Sequence, residues 1–350
     1  MNYVATLYKK IMTAIALGAV VATSLFAVPV QAASLEKLFY YVPSESAYAT
    51  LEQYITRINV FAPQVYKVSQ DGTLTGKISD KVTALLAKNP QVKVMPLVFQ
   101  EGFDSDIMHN MLASPNAQEK LIAALIAEAK LKGYWGWQFD FEHMYATDRN
   151  WYASFVEDTA KAFKKEGLKL SVAVIARTSE NPKDLPEGSW DYWAGVFDYK
   201  RIGAAADFVT LMAYDQPASP GPVASLPWVK QVLAYMEKSI PKSKISLGIP
   251  TYGRLWDVTT NKPVRSASHD KIIELEVNNE FTAKGYDTKL QTAWITYSEG
   301  EGAAKKNYKI WYEDIRSFKP KYNLAKTRAL RGVSVWVIGM EDERIWNNLK

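Results

Sequence analysis

The sequence predicts an α/β chain: a (β/α)8 TIM barrel with a small α+β insertion between strands seven and eight. Three observations lead there. Eight short β-rich runs recur between residues 38 and 339, and helical periodicity separates most of them. One run, YWGWQFDFE at 134–142, alternates aromatic and polar residues at the period of a strand. Eight parallel strands joined by helices are the number that closes a barrel.

In order, the runs are LFYYVP (38–43), INVFAPQVY (58–66), VKVMPLVF (92–99), YWGWQFDFE (134–142), LKLSVAVIA (168–176), DFVTLMAYD (207–215), KISLGIPTYG (244–253) and GVSVWVIG (332–339). Between the third and fourth, residues 118–131 place Leu121, Ile122, Leu125, Ile126 and Ala129 on one helical stripe that stops at Gly133. After the fourth, Trp151, Phe155, Thr159 and Phe163 repeat every four residues until Gly167. Between the seventh and eighth runs, residues 254–331 are too many for one helix. They contain the strand-like AWITYS (293–298) and NYKIWYE (307–313), then a helical stretch from Asp314. An insertion of this kind is expected to stand on the rim as one wall of a cleft.

In the fourth run, strand parity puts Trp135, Trp137, Phe139 and Phe141 on the helix-facing side. Tyr134, Gly136, Gln138, Asp140 and Glu142 then project inward and climb toward the C-terminal mouth, with Gly136 leaving room in a crowded interior.

At the N-terminus, a basic start is followed by a long apolar run and the small-residue pattern Val30-Gln31-Ala32. This reads as a secretory signal peptide over 1–32, leaving 33–350 as the barrel; the competing reading is an uncleaved membrane anchor. The chain has 350 residues, 48% apolar and 13% aromatic, enough for a sizeable core. It has no cysteine, so disulfides and thiol catalysis are excluded. The net charge of +5 becomes +3 when Lys9 and Lys10 leave with the leader. With no basic cluster, nucleic acid is not an expected partner. The expectation is an exported or cell-wall-associated monomer with no stable membrane insertion after cleavage.

Asp140 and Glu142 stand two residues apart on one strand face, about 6.5 Å by strand rise. Two carboxylates that close should push one toward the protonated state, and a protonated carboxyl at a barrel mouth is a general acid. The plain alternative is a structural pair satisfied by neighbouring strands.

FDFE, with Gly136 six residues before Glu142, resembles the DGxDxDxE signature of glycoside hydrolase family 18, the chitinase-type barrels. LMAYDQ (211–216) is similar to the sixth-strand Met-x-Tyr-Asp motif of that family, and VSVWVIG (333–339) to its eighth strand with a single Trp. SPGPVASLPWV (219–229), GIPTYGRLW (248–256) and KIWYEDIRS (309–317) resemble the branch of spore-coat and peptidoglycan-lytic N-acetylglucosaminidases. The resemblance spans about 35–350.

It implies a secreted glycosidase acting on β-1,4-linked N-acetylglucosamine polymers, peptidoglycan before chitin, by substrate-assisted retaining catalysis. By the match, Glu142 protonates the glycosidic oxygen, and the substrate's 2-acetamido oxygen is the nucleophile. Asp140 holds the acetamido N–H, Tyr214 donates to the acetamido oxygen, Met212 and Asp215 line the subsite, and Trp336 is the floor under the sugar. Gln138, Tyr40 and Trp256 complete the expected substrate-binding set. Tyr41, Gln100 and Glu101 are weaker candidates, as are Trp190, Trp193, Trp228, Trp294 and Trp311; Trp311, like Trp256, lies inside a matched motif. His143 has the wrong parity for the cleft and reads as structural. Such a mechanism needs no metal or other cofactor, and His109, His143 and His269 have no ligand spacing.

The signature's acids at the positions of Trp135 and Gln138 are missing. An amide at 138 cannot share a proton with Asp140, although its NH2 could donate to it. Two other readings stay open: a carbohydrate-binding barrel that has lost turnover, and a two-carboxylate hydrolase using Asp215 as the second acid.

Overall fold

The computed structural model describes residues 35–217 and 220–349; the leader expected over 1–32 lies outside the described residues. Eight parallel strands close on themselves: β1 (Glu36–Tyr41), β2 (Val60–Val68), β3 (Leu97–Gln100), β4 (Gly136–Phe139), β5 (Lys169–Ile175), β6 (Phe208–Met212), β7 (Ile245–Pro250) and β8 (Gly332–Trp336). Each pairs with the next, and β8 returns to β1 with Glu36 opposite Gly332. The (β/α)8 barrel is therefore present.

The helices form where the apolar stripes fall. Residues Pro115–Lys132 are one helix, started by the Ser114 side chain and Pro115 and stopped by Gly133 at φ 70°. Residues Arg149–Lys165 form the next. From position 137 onward the aromatics of the fourth run face these helices. Trp137 donates its indole N–H to Leu125 O at 2.9 Å, Phe139 stacks on Phe155 at 5.4 Å, and Phe141 meets Tyr152 edge-on.

Parity fails at the start of that run. Tyr134 faces outward, its hydroxyl 2.9 Å from that of Tyr66, and Trp135 faces inward, stacked on Phe208 at 6.3 Å. The assigned strand begins at Gly136, although Trp135 already bonds both neighbours, donating to Val94 O at 2.8 Å and accepting from Lys169 N at 3.0 Å, so the break in alternation falls where the strand enters the barrel. Gly136 is needed for a different reason from the one expected. A Cβ there would lie 2.0 Å from the backbone oxygen of Lys169, so the crowding comes from the neighbouring strand's backbone.

The insertion is larger than two strands. Gly253–Asp257, Lys262–Ala267, Phe281–Asp287, Thr292–Glu299 and Lys306–Tyr312 form a five-stranded antiparallel sheet, and the helix His269–Val277 packs on it through Ile272 and Leu275. Strand 262–267 is mostly solvent-exposed and strand 281–287 has no fully buried residue, so their sequences carry no buried alternation to read. Gly253 opens the first of these strands and does not end β7. The helix Ile315–Thr327, capped reciprocally by Asp314 and Ser317, follows the sheet and leads to β8.

Candidate active site

Asp140 and Glu142 continue from β4 just past its last ladder residue, Phe139, at the C-terminal mouth. Asp140 N still donates to Val98 O at 3.0 Å. Glu142 is fixed through its backbone by Gln100, whose fully buried amide donates to Glu142 O and accepts from Glu142 N at 3.3 Å. Gln100 is thus a backbone clamp on the acid, and the sugar contact expected of it is not available.

Below them the barrel interior is polar. Gln138 Nε2 donates to Ser171 Oγ at 2.8 Å and to Thr210 Oγ1 at 3.1 Å, and Ser334 joins Thr210 to Ser246. Gln138 is fully buried and absent from the lining of the cleft, so its expected place among the substrate contacts is corrected. Nor does its NH2 reach Asp140, being already committed to the two hydroxyls. A different amide does: Gln64 Nε2 donates to Asp140 Oδ2 at 3.4 Å, a residue that sequence reasoning missed.

The electrostatics follow from burial. Asp140 is 4% exposed, and burial first, then the charge of Glu142, raise its carboxyl well above the ordinary range, with Gln64 opposing. Glu142 is also raised, by burial and by the charge of Asp215, against a hydrogen bond at 3.2 Å from the indole N–H of Trp193. Two such groups at one mouth hold a proton to higher pH than free carboxyls do, as a general acid requires.

Around the pair, Tyr40, Met212, Tyr214, Asp215 and Trp336 line one cleft with Asp140 and Glu142, enclosing about 790 Å³ of atom-free space open to solvent. Burial raises the Tyr214 hydroxyl well above its usual range, keeping it a donor, and Gly248 makes room for its ring, since a Cβ there would lie 2.9 Å from it. The Tyr40 hydroxyl is buried near Thr210, Ser334 and Gln138 without a well-formed hydrogen bond. Tyr40 meets Trp336 at 5.2 Å, whereas Tyr41 faces outward onto Phe61. Thr251 holds the end of β8: its N and Oγ1 donate to Trp336 O at 2.7 and 3.0 Å, and Oγ1 accepts from Val337 N at 2.8 Å. Asp215 sits at φ 54°, bonded by Tyr252 Oη at 2.7 Å and paired with Arg254.

The pocket around the carboxyl pair is lined from elsewhere than the insertion, which meets it through Arg254 on Asp215. Leu185, Pro186, Ser189, Trp193 and Ala194, from the irregular segment 176–198 after β5, line it, and among the described lining residues none comes from 254–331. Trp256 is corrected as well. It is 2% exposed, with its indole N–H on Gly221 O at 2.9 Å, and Trp311 is 8% exposed beneath Lys309. Both lie on the sheet of the insertion, where a match to a motif does not tell which way a ring faces. The tryptophans at the cleft are Trp193, Trp228 and Trp336. His143 is exposed at φ 51° and stacked on Trp193 at 6.2 Å. Among the described residues no cluster of His, Cys, Asp and Glu could hold a metal ion.

The sequence model of Glycosyl hydrolases family 18 matches residues 37–341. An uncharacterized glycosylase, YvbX, of Bacillus subtilis (strain 168) is 28% identical over 319 residues, covering 89% of this chain and 89% of its own. Two solved structures superpose with a TM-score of 0.79 and cover 90% of this chain. One is a chitinase from Chromobacterium violaceum ATCC 12472, 27% identical and 98% covered; the other is the spore cortex-lytic enzyme SleL of Bacillus megaterium QM B1551, 26% identical and 73% covered.

Proposed function

This chain belongs to Glycosyl hydrolases family 18 and is a glycoside hydrolase, and from that premise we propose that it cleaves β-1,4-linked N-acetylglucosamine polymers, peptidoglycan in preference to chitin, by substrate-assisted retention. The observation that carries the reading is the Asp140–Glu142 pair, both raised, at the mouth of a cleft shared with Tyr214 and floored by Trp336. A second carboxylate acting as nucleophile is not needed. The obvious candidate, Asp215, has its carboxylate engaged by Arg254 and Tyr252.

In this mechanism Glu142 gives its proton to the glycosidic oxygen as the bond to C1 breaks. The substrate's acetamido oxygen bonds to C1 and forms an oxazolinium ion. Asp140 accepts from the acetamido N–H and offsets the charge that develops, and the Tyr214 hydroxyl donates to the acetamido oxygen. Water then adds to C1 as the bond from C1 to the acetamido oxygen breaks and the acetamido group is restored, with net retention, and the proton the water loses goes to Glu142, which now acts as base. The flat face of Trp336 suits the apolar face of a pyranose ring.

The likeness to a spore cortex-lytic enzyme supports peptidoglycan, and the leader pattern in 1–32 supports export. The test is incubation of the protein and its Glu142→Gln variant with purified peptidoglycan and with chitin oligosaccharides, identifying the reducing ends released. N-acetylglucosamine reducing ends made by the wild type, and reduced on the order of 10²- to 10⁴-fold in the variant, are expected. Retained binding with no product from either substrate would replace this reading with that of a carbohydrate-binding barrel.

A further inference from the structure

The segment 176–198 does more than wall the cleft: it contributes the one side chain that donates a hydrogen bond to the carboxyl of the acid among the described residues. Trp193 Nε1 lies 3.2 Å from Glu142 Oε2. The ring is held from two sides. His143, the residue after the acid, stacks on it at 6.2 Å with planes 9° apart. On the other side the backbone that follows Trp193 is pinned by two arginines. The buried Arg177 donates to Ala194 O at 2.6 Å and Phe197 O at 2.7 Å, and Arg149 donates to Gly195 O at 2.7 Å.

We propose that Trp193 is a positioning residue for Glu142, its indole N–H deciding which carboxyl oxygen carries the proton. The inference rests on Glu142 being the acid. An indole N–H only donates. In the neutral carboxyl the better acceptor is the carbonyl oxygen, so a donor fixed at Oε2 leaves the hydroxyl on Oε1. Without it no side-chain donor among the described residues distinguishes the two oxygens, and the proton is found on the unproductive one part of the time. The same N–H bonds still more strongly to the ionised carboxylate, so it opposes the rise that burial imposes.

Glu142 is faced by Asp140 from its own strand, by Tyr214 and Asp215 from the end of β6, and by His143 beside it in the chain; Arg254 is engaged on Asp215. None of these donates to Oε2 in the structure. Removing the Trp193 N–H should therefore leave the acid protonated to higher pH.

Two measurements test this. Trp193→Phe keeps an aromatic ring for His143 and loses the donor. Expected are a kcat lowered on the order of 10-fold with KM changed by less than about 2-fold on a short oligosaccharide, and an alkaline limb of the pH–rate profile moved upward. A role confined to shaping the wall would raise KM and leave the limb in place, and that result, or a wild-type profile, overturns the proposal. The second measurement needs neither substrate nor a folded tryptophan variant. Among the described residues two indoles donate to carboxyls, Trp193 to Glu142 and Trp346 to Glu341 at 2.9 Å; in the ¹⁵N-indole spectrum of the wild-type protein the Trp193 N–H should titrate with pH, and that titration should vanish in Glu142→Gln while the Trp346 signal is kept. If no indole resonance follows Glu142, Trp193 does not position it, whichever glycan the enzyme cleaves.

Discussion

Gln64 on β2, and not Gln138 on β4, is the amide that reaches Asp140, with Nε2 3.4 Å from Oδ2. The two glutamines therefore have different tasks. Gln138 ties β4 to Ser171 on β5 and Thr210 on β6, and Gln64 opposes the upward shift of the aspartate. Gln64→Leu should push Asp140 further up and lower kcat by about 10-fold, the low end of the worth of one hydrogen bond to a charged group, as befits a bond of 3.4 Å. Gln138→Leu should act on stability, leaving two buried hydroxyls short of a partner for about 1–3 kcal/mol. Denaturant titration beside steady-state kinetics of both variants separates the two effects.

Asp140→Asn should stabilise the protein near neutral pH while reducing its activity. Because burial raises the Asp140 carboxyl, the folded state keeps a proton that the unfolded chain has lost once pH exceeds about 4. Stability in the wild type accordingly falls as pH rises from the unfolded pKa to the folded one, and asparagine removes that loss. The melting temperature of the variant should match the wild type below about pH 4 and exceed it above, each unit of displacement being worth about 1.4 kcal/mol. A gain that is independent of pH would rule this account out.

Arg254→Met should leave the Asp215 carboxylate unneutralised beside Glu142. Asp215 already pushes the acid up, so the alkaline limb of the pH–rate profile should move higher, and kcat/KM should fall about 10-fold through the displaced rim. Tyr252→Phe, which removes a neutral donor to the same oxygen, should have the smaller effect. Profiles of the two variants on one substrate would decide the order.

Gly136→Ala should be far more damaging than Gly133→Ala, although they are three residues apart. At Gly136 the new Cβ meets Lys169 O at 2.0 Å, a backbone clash between β4 and β5 that no rotamer relieves; about 3 kcal/mol or more is expected. At Gly133 nothing lies within 4 Å and only the left-handed φ of 70° is at stake, costing about 1 kcal/mol. Chemical denaturation of both separates crowding from backbone conformation.

The sequence by itself determined the eight strands and the inward course of Gln138 and Asp140, and its resemblance to a known family implied the gathering of Glu142, Met212, Tyr214 and Trp336 at one mouth. Strand period and strand order are local properties, written in runs of six to ten residues. Parity carried the side chains correctly from 137 to the end of the fourth run and failed at 134 and 135, ahead of the first assigned strand residue, Gly136. Only the tertiary structure decided which amide faces Asp140, which tryptophans reach the cleft, and that the pocket around the carboxyl pair is lined by 176–198 and not by the insertion. Gln64 and Asp140 are 76 residues apart, and Trp193 and Glu142 are 51 apart. Such contacts depend on how barrel and loops close around one another, and a hydrogen bond between distant side chains leaves no period in the sequence.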